Sequence, residues 1–240
     1  MRMSHKPLTI GIVGGMGPEA TADLFRKIIR ATPAKRDQDH IPVVIVSDPT
    51  IPDRTEALLG EGEDPLPAMA RSAEACLRAG ADFLIMPCNT AHCFHPGLCQ
   101  GIAVPVLHMM EEVARFLAAS HPGVRKVGLL ATTGTVQLAL YQETLSEDGL
   151  EVIVPGEEDQ GKVMEAIYGD QGVKAGYYDG PRRLFSGVAA NLVARGATAI
   201  IAGCTEIPLA LDQADVEGAV LVDPTDVLAR AAVVRALGGV

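Results

Sequence analysis

The sequence has no tryptophan, only five phenylalanines and four tyrosines, so aromatic residues make up 4% of its 240 positions. Stacking of bases on aromatic rings is a main source of affinity for single-stranded nucleic acid, and little is available here to supply it. Basic residues are also the minority. Lys and Arg number 20 against 30 Asp and Glu, a formal net charge of −10. Nucleic-acid binding relies on neutralising phosphates with Lys and Arg, so this balance argues against such a partner. No apolar run approaches the roughly 18 residues that a membrane-spanning helix needs, and the opening residues MRMSHKP lack the apolar stretch of a secretory signal. Five cysteines, an odd number in a chain of this size, do not form a disulfide framework. The expectation is a cytoplasmic protein with free thiols and no membrane partner.

What is present is ordinary globular composition, 48% hydrophobic and 21% charged. The length allows one large domain or two small ones at roughly 100–200 residues each. Short Val/Ile/Leu runs alternate with longer amphipathic ones. Buried strands are predicted at positions 8–13 (LTIGIV), 42–47 (PVVIVS), 83–86 and 105–107, and again at 126–131 (KVGLLA), 151–154, 199–202 and 220–222. Helices are predicted at about 18–31, from the end of a polar loop (48–65) to 79, and at about 109–119 and 134–147. Further helices are expected near 157–168 and 181–194, with a last one from 224. Continuous apolar strands separated by helices predict an α/β fold with parallel sheets covered on both faces.

The chain also repeats itself. TIGIV around Gly11 matches KVGLL around Gly128, an offset of 117; GADFLIMPC ending at Cys88 matches GATAIIAGC ending at Cys204, an offset of 116. A third match aligns Arg115 with Arg230 at an offset of 115. Matches in one order at nearly one spacing imply two similar α/β halves. In each, a cysteine directly follows a buried strand. Ligands of open parallel sheets bind beyond the carboxyl ends of strands. If the halves face one another, Cys88 and Cys204 stand on opposite walls of one cleft.

Each thiol also precedes a predicted helix, where the dipole and free N–H groups favour the thiolate. Buried packing is the alternative for a single cysteine, but two at equivalent positions suit a specific reaction. Opposed thiols can take a proton from one face of a carbon and return one to the other, which is racemisation. Such a site requires no cofactor. The cluster Cys88, His92, Cys93, His95, Cys99 invites a metal reading, yet the spacing lacks the paired CxxC of structural zinc sites, so no metal is expected. Cys76, Cys93 and Cys99 are expected to pack, and His92 either tunes Cys88 or makes a structural hydrogen bond.

The loop Gly14-Gly15-Met16-Gly17-Pro18 fits a dinucleotide fingerprint formally, with Gly15, Gly17 and Ala20 in place. The acidic residue that should hold the ribose is poorly placed, since Asp37 precedes the second strand and Asp48 lies beyond the usual spacing. The equivalent turn of the second half, Ala131-Thr132-Thr133-Gly134-Thr135, supplies hydroxyls instead of glycines. These threonines either cap a helix or bind a carboxylate. Arg54, in the loop IPDRT, and Lys174 lie in corresponding segments of the two halves. Both are candidates to hold a substrate carboxylate. A Schiff-base role for Lys174 with pyridoxal phosphate would leave two thiols redundant.

Together GIVGGMGPEAT (11–21), IPDRT (51–55), PCNTAH (87–92), LLATTGT (129–135) and GCTEIPL (203–209) resemble the aspartate racemases of the aspartate/glutamate/hydantoin racemase superfamily. The resemblance runs through nearly the whole chain. It implies two pseudo-symmetric parallel-sheet α/β domains with the active site in the cleft between them. Domain one would comprise 1–108 plus 223–240, because the last helix packs back onto the first half, and domain two 109–222. It further implies a homodimer and cofactor-independent racemisation of an acidic amino acid by Cys88 and Cys204. Asn89, Thr90, Thr132, Thr133, Thr135 and Thr205 would surround the substrate's α-carboxylate and α-amino groups, with Met16 and Glu206 beside them. Arg54 and Lys174 would meet its carboxylates. Glutamate racemases carry an acidic residue and serine at the first turn, where GGMGP stands here, which favours aspartate. Rivals are a glutamate or broad-specificity racemase and a maleate-type cis–trans isomerase. From other classes come a nicotinamide-dependent dehydrogenase and a non-catalytic amino-acid sensor.

Overall fold

A computed structural model describes residues 6–239; the opening MRMSH, where the sequence shows no apolar stretch of a secretory signal, lies outside them. The chain divides into two compact units, Met1–Met109 with Thr225–Val240, and Met110–Pro224.

The first unit runs β1 (Ile10–Gly14), α1 (Pro18–Ala31), β2 (Val43–Ser47), α2 (Arg54–Leu59), α3 (Leu66–Arg78), β3 (Phe83–Ile85), a 3-10 turn (Thr90–Phe94) and α4 (His95–Gln100). The second runs through α5 (Met109–Ser120), β4 (Lys126–Leu130), α6 (Thr133–Gln137), α7 (Leu140–Ser146), β5 (Glu151–Ile153) and α8 (Glu157–Tyr168). It continues with α9 (Asp179–Ala194), β6 (Ala199–Ala202), α10 (Ile207–Ala210) and β7 (Val220–Val222). α11 (Pro224–Ala236) returns to the first unit, where the Leu8 N–H donates to the Ala236 carbonyl at 2.9 Å.

The two sheets share one topology. The first is three-stranded in the order β2-β1-β3, the second four-stranded in the order β5-β4-β6-β7, and every pair is parallel. Strands β1, β3 and β6 are buried along their full length, as apolar sequence in a sheet covered on both faces requires. The strand expected at 105–107 is reduced to one bridge, Leu84 to Val106. Leu84 donates to the Pro105 carbonyl and Leu107 to the Leu84 carbonyl, but Pro105 has no N–H with which to extend the ladder. Its counterpart β7 is a full strand.

Equivalent glycines explain how the helices sit on these sheets. A Cβ at Gly11 would lie 2.5 Å from the Leu84 side chain and 3.1 Å from Cβ of Cys76 on α3; one at Gly128 would lie 2.6 Å from Ile200 and 3.0 Å from Leu192 on α9. Both strands therefore need glycine where a helix crosses closely, and the repeat preserves it.

The helix expected over 134–147 is two helices. It breaks at Ala139, which adopts φ 52°, a left-handed conformation that costs a residue with a Cβ. After the break α7 buries Tyr141 and Leu145 at i, i+4 spacing. The loop expected over 48–65 contains α2, started by the Asp53 carboxylate, which accepts from the N–H groups of Thr55 and Glu56 at 2.8 and 3.0 Å.

Candidate active site

In the first unit, the chain leaves the carboxyl end of β3 through Met86-Pro87 to reach Cys88, which is 7% exposed. Asn89 and Thr90 are buried beside it. Residues Thr90–Phe94 form a 3-10 turn rather than the start of a long helix, and the regular helix α4 begins only at His95. His92 fixes this turn. Its Nε2 accepts the Met109 N–H at 3.1 Å, so the ring proton must sit on Nδ1, which donates to the Cys88 carbonyl at 2.8 Å. Burial, together with the neighbouring His108 and His95, pushes the imidazole down to about 3, so it is neutral. Of the two roles expected for His92, it performs the structural one: it holds the backbone of Cys88.

Met16 is buried in the same apolar cluster as Cys88, with Val13, Ile51 and Ala91. Its turn is closed from α1: Thr21 Oγ1 accepts from the Gly15 N–H and donates to the Gly17 carbonyl, both at 2.9 Å. Gly15 has φ +96°, and a Cβ there would fall 2.3 Å from the Asp48 backbone. Asp48 itself accepts from the N–H and hydroxyl of Thr50 at 2.9 and 2.6 Å. Its carboxylate is engaged in its own turn. Arg54 opens α2, and its Nη1 donates to the carbonyls of Ile51 and Pro52 at 3.2 and 2.9 Å.

In the second unit, β6 ends at Ala202, and Gly203 leads to Cys204, 8% exposed. A Cβ at Gly203 would lie 2.6 Å from the Leu129 side chain and 3.1 Å from the Leu130 carbonyl oxygen, so glycine lets the chain pass close to β4 here. The Cys204 thiol donates to Glu206 Oε2 at 2.9 Å, and the Thr205 hydroxyl donates to the same oxygen at 3.2 Å. The other carboxylate oxygen receives Lys174 Nζ at 2.7 Å, and that ammonium stands 5.3 Å from the centre of the Tyr168 ring. Lys174 lies in a 3-10 turn, Val173–Ala175.

Burial pushes the Cys204 thiol well above its ordinary value, and the Glu206 charge and hydrogen bond push it further; the Glu206 backbone N–H and Lys174 oppose them. Burial also pushes the Glu206 carboxyl up, but Lys174 and the Cys204 hydrogen bond outweigh it and leave it below its usual range. This corrects the expectation of a helix-favoured thiolate at Cys204. α10 has only four residues, and burial together with a full carboxylate charge outweighs what so short a helix offers.

Thr132 caps α6, with its hydroxyl accepting from the Thr135 N–H at 3.4 Å and lying 3.2 Å from the Thr135 hydroxyl. The Thr133 N–H meets Met164 Sδ at 3.3 Å, and Gln160 donates to the Ala131 carbonyl at 3.0 Å and to the Thr133 hydroxyl at 3.5 Å. Thr132 and Thr135 are buried; Thr133 is half-buried. Tyr141, which interacts with Cys204, and Asp223, which interacts with Tyr141, were not expected from the sequence. The fully buried Tyr141 phenol is pushed up by burial, by the Asp223 charge, and by Cys204 whenever that thiol ionises. Nothing in the motifs signals Tyr141, because it arrives through the break before α7. Among the described residues no group of three or more His, Cys, Asp or Glu could hold a metal ion, and no helix is long and apolar enough to cross a membrane. Cys76 is buried and donates to the Ile12 carbonyl at 3.5 Å, whereas Cys93 and Cys99 are half-buried. Cys99 Sγ lies 3.5 Å from Nε2 of His95.

Residues 13–232 match the model of the Asp/Glu/Hydantoin racemase family. Over 148 residues the chain is 34% identical to the broad specificity amino-acid racemase RacX of Bacillus subtilis (strain 168), a match spanning 60% of this chain and 63% of that protein, less than two thirds of its length. The fold is similar to that of the aspartate racemase of Picrophilus torridus, with a TM-score of 0.84, 31% identity and coverage of 96% of this chain and 94% of that one. It is also similar to an aspartate racemase homologue from Pyrococcus horikoshii OT3, with a TM-score of 0.76, 28% identity and coverage of 95% and 98%.

Proposed function

The chain belongs to the Asp/Glu/Hydantoin racemase family, and from that premise we propose that it interconverts the L and D forms of an acidic amino acid, aspartate foremost, without a cofactor. The observation that carries the reading is the pair of buried thiols, Cys88 and Cys204, each just beyond the carboxyl end of equivalent strands in sheets of one topology. In this reading the two units bring the thiols to opposite faces of one substrate. One thiolate removes the Cα proton and the other thiol reprotonates the opposite face; the roles exchange for the reverse reaction. General acid–base catalysis supplies only about 10²–10⁴-fold, so the carbanionic charge must also be met by fixed donors. Asn89 and Thr90 from one unit, and Thr132, Thr133, Thr135 and Thr205 from the other, are the donors proposed for the α-carboxylate and α-amino groups. Met16 forms apolar wall beside Cys88. Arg54 and Lys174 are the cations proposed for the side-chain carboxylate. The enzyme is proposed to act as a homodimer.

A broader specificity is the second reading. Lys174 is already ion-paired with Glu206, and Arg54 already donates to carbonyls of its own loop, so neither cation stands ready for a distal carboxylate alone. The similarity to a broad specificity racemase points the same way. Incubating the D and L forms of aspartate, glutamate and neutral amino acids, and maleate, in D₂O separates these readings. Deuterium entering Cα of aspartate with inversion supports the first. Inversion of neutral amino acids at comparable rates supports the second, and exchange into none of them overturns both.

A further inference from the structure

The two thiols do not sit in equivalent surroundings. The offset of 116 that aligns Cys204 with Cys88 aligns Glu206 with Thr90. One unit therefore places a carboxylate beside its thiol, and the other places a neutral hydroxyl residue. At 2.9 Å from Sγ, Oε2 of Glu206 can only accept. That contact requires Cys204 to carry its proton. Lys174 occupies the other oxygen at 2.7 Å, and Thr205 donates to the first. Both carboxylate oxygens are thus met by donors only, which is the arrangement that keeps a carboxyl group ionised.

We propose that Glu206 is a positioning residue that keeps Cys204 in its S–H form in the resting enzyme, with Lys174 fixing Glu206 as the anion, so that the second unit enters turnover as the proton donor. The inference rests on the racemase reading for its catalytic meaning, but the state of the thiol stands independently of it. The other groups that face Cys204 do not reverse the conclusion. Tyr141 from α7 is fully buried and pushed towards its neutral form, and Asp223, after β7, acts on Tyr141. Burial raises the thiol most, the Glu206 charge and hydrogen bond add to it, and the Glu206 backbone N–H and Lys174 oppose them without reversing the direction. Through Glu206 and the one-third-exposed Lys174 side chain the buried thiol is linked to solvent by a chain of polar atoms. Glu206, expected in the substrate shell, is on this account a partner of the thiol instead.

The test is the rate at which iodoacetamide alkylates Cys204 at fixed pH in the full-length protein without substrate, read on the Cys204 peptide by mass spectrometry. Glu206→Gln keeps an acceptor oxygen and removes the charge. Its Cys204 alkylation should rise by about three- to thirtyfold, the size expected from removing one close like charge, with part of the gain offset by the lower nucleophilicity of a more acidic thiol. Lys174→Gln should slow alkylation, because the thiol then faces Glu206 without its counter-charge. Loosened packing would accelerate alkylation in both variants, so opposite signs separate the charge effect from a structural one. An unchanged or slower rate in Glu206→Gln, or a faster one in Lys174→Gln, overturns the proposal. Failure of the racemase reading would show instead as absent Cα exchange and leave these rates untouched.

Discussion

The Cys88 turn and the Cys204 turn come from matching sequence, follow equivalent strands, and are held in different ways. Cys88 is held through its backbone: a neutral imidazole ties its carbonyl to the Met109 amide, the last residue of the first unit before the chain crosses to the second. Cys204 is held through its thiol, by a carboxylate that is itself ion-paired. The turns after β1 and β4 diverge likewise. One is glycine closed by the hydroxyl of Thr21, the other threonine capping α6. Duplication preserved what the sheets require, including Gly11 and Gly128, and left the residues around the thiols free to diverge. In the proposed reaction, proton transfer on both faces of a substrate needs two acid–base groups but not two in identical surroundings.

The largest effect should come from the thiols themselves. Cys88→Ala and Cys204→Ala should each lower the racemisation rate by at least about 10²–10⁴-fold, the usual worth of a general acid or base, followed by circular dichroism from either enantiomer. If one variant keeps near wild-type activity, the two turns are not partners. Next comes the clamp on the first turn. His92→Leu leaves a buried carbonyl and a buried amide unpaired, at about 1–3 kcal/mol each, so urea unfolding should show a loss of that order.

Acid should distinguish the two turns by where it acts. His92 has a folded value of about 3 against 6.5 ordinarily. Between those limits the unfolded chain binds the extra proton, so stability declines as pH falls from about 6.5 towards 3. Glu206 is held below its ordinary 4.5. Its contribution is complete above that value and is lost only as pH falls further, through its folded value. Unfolding free energies measured at about pH 7, 5.5 and 4 should therefore fall already between the first two in the wild type, and less steeply in His92→Asn. An equally steep fall in that variant would place the acid sensitivity elsewhere. The smallest effects should be at the caps: Asp53→Ala on α2 and Thr132→Ala on α6 should each cost about 0.5–2 kcal/mol. A much larger activity loss than stability loss in Thr132→Ala alone would mark its hydroxyl as a substrate contact.

Much of this fold was legible in the residues. Continuous Val/Ile/Leu runs marked the central strands, and the repeat marked two units, because burial on both faces leaves no room for alternation. Helices with a strong apolar stripe, such as α1 and α3, were bounded within a residue or so. The break at Ala139 was not legible, since no glycine or asparagine marks the left-handed residue. The strand around Val106 is reduced to a bridge because Pro105 ends its donors, and the proline itself is the sequence signal for that end. At the site, PCNTAH and GCTEI located both thiols. His92 lies four residues after Cys88, a spacing from which a tight turn can reach back to the carbonyl, but its second partner, Met109, is a tertiary fact. The protonation of Cys204 does not follow from the dipole of the helix after it, because burial and the carboxylate two residues on outweigh that dipole.

The most direct test of the two-thiol account is where deuterium goes early in a reaction started from pure L-aspartate in D₂O, read by enantiomer-resolved mass spectrometry. The account predicts that the D-aspartate formed carries one deuterium at Cα from the first turnovers, while the remaining L-aspartate is still largely protiated. If the D-aspartate keeps the substrate's own proton, or if label enters L-aspartate as fast as D-aspartate forms, a single group is serving both faces and the account is contradicted.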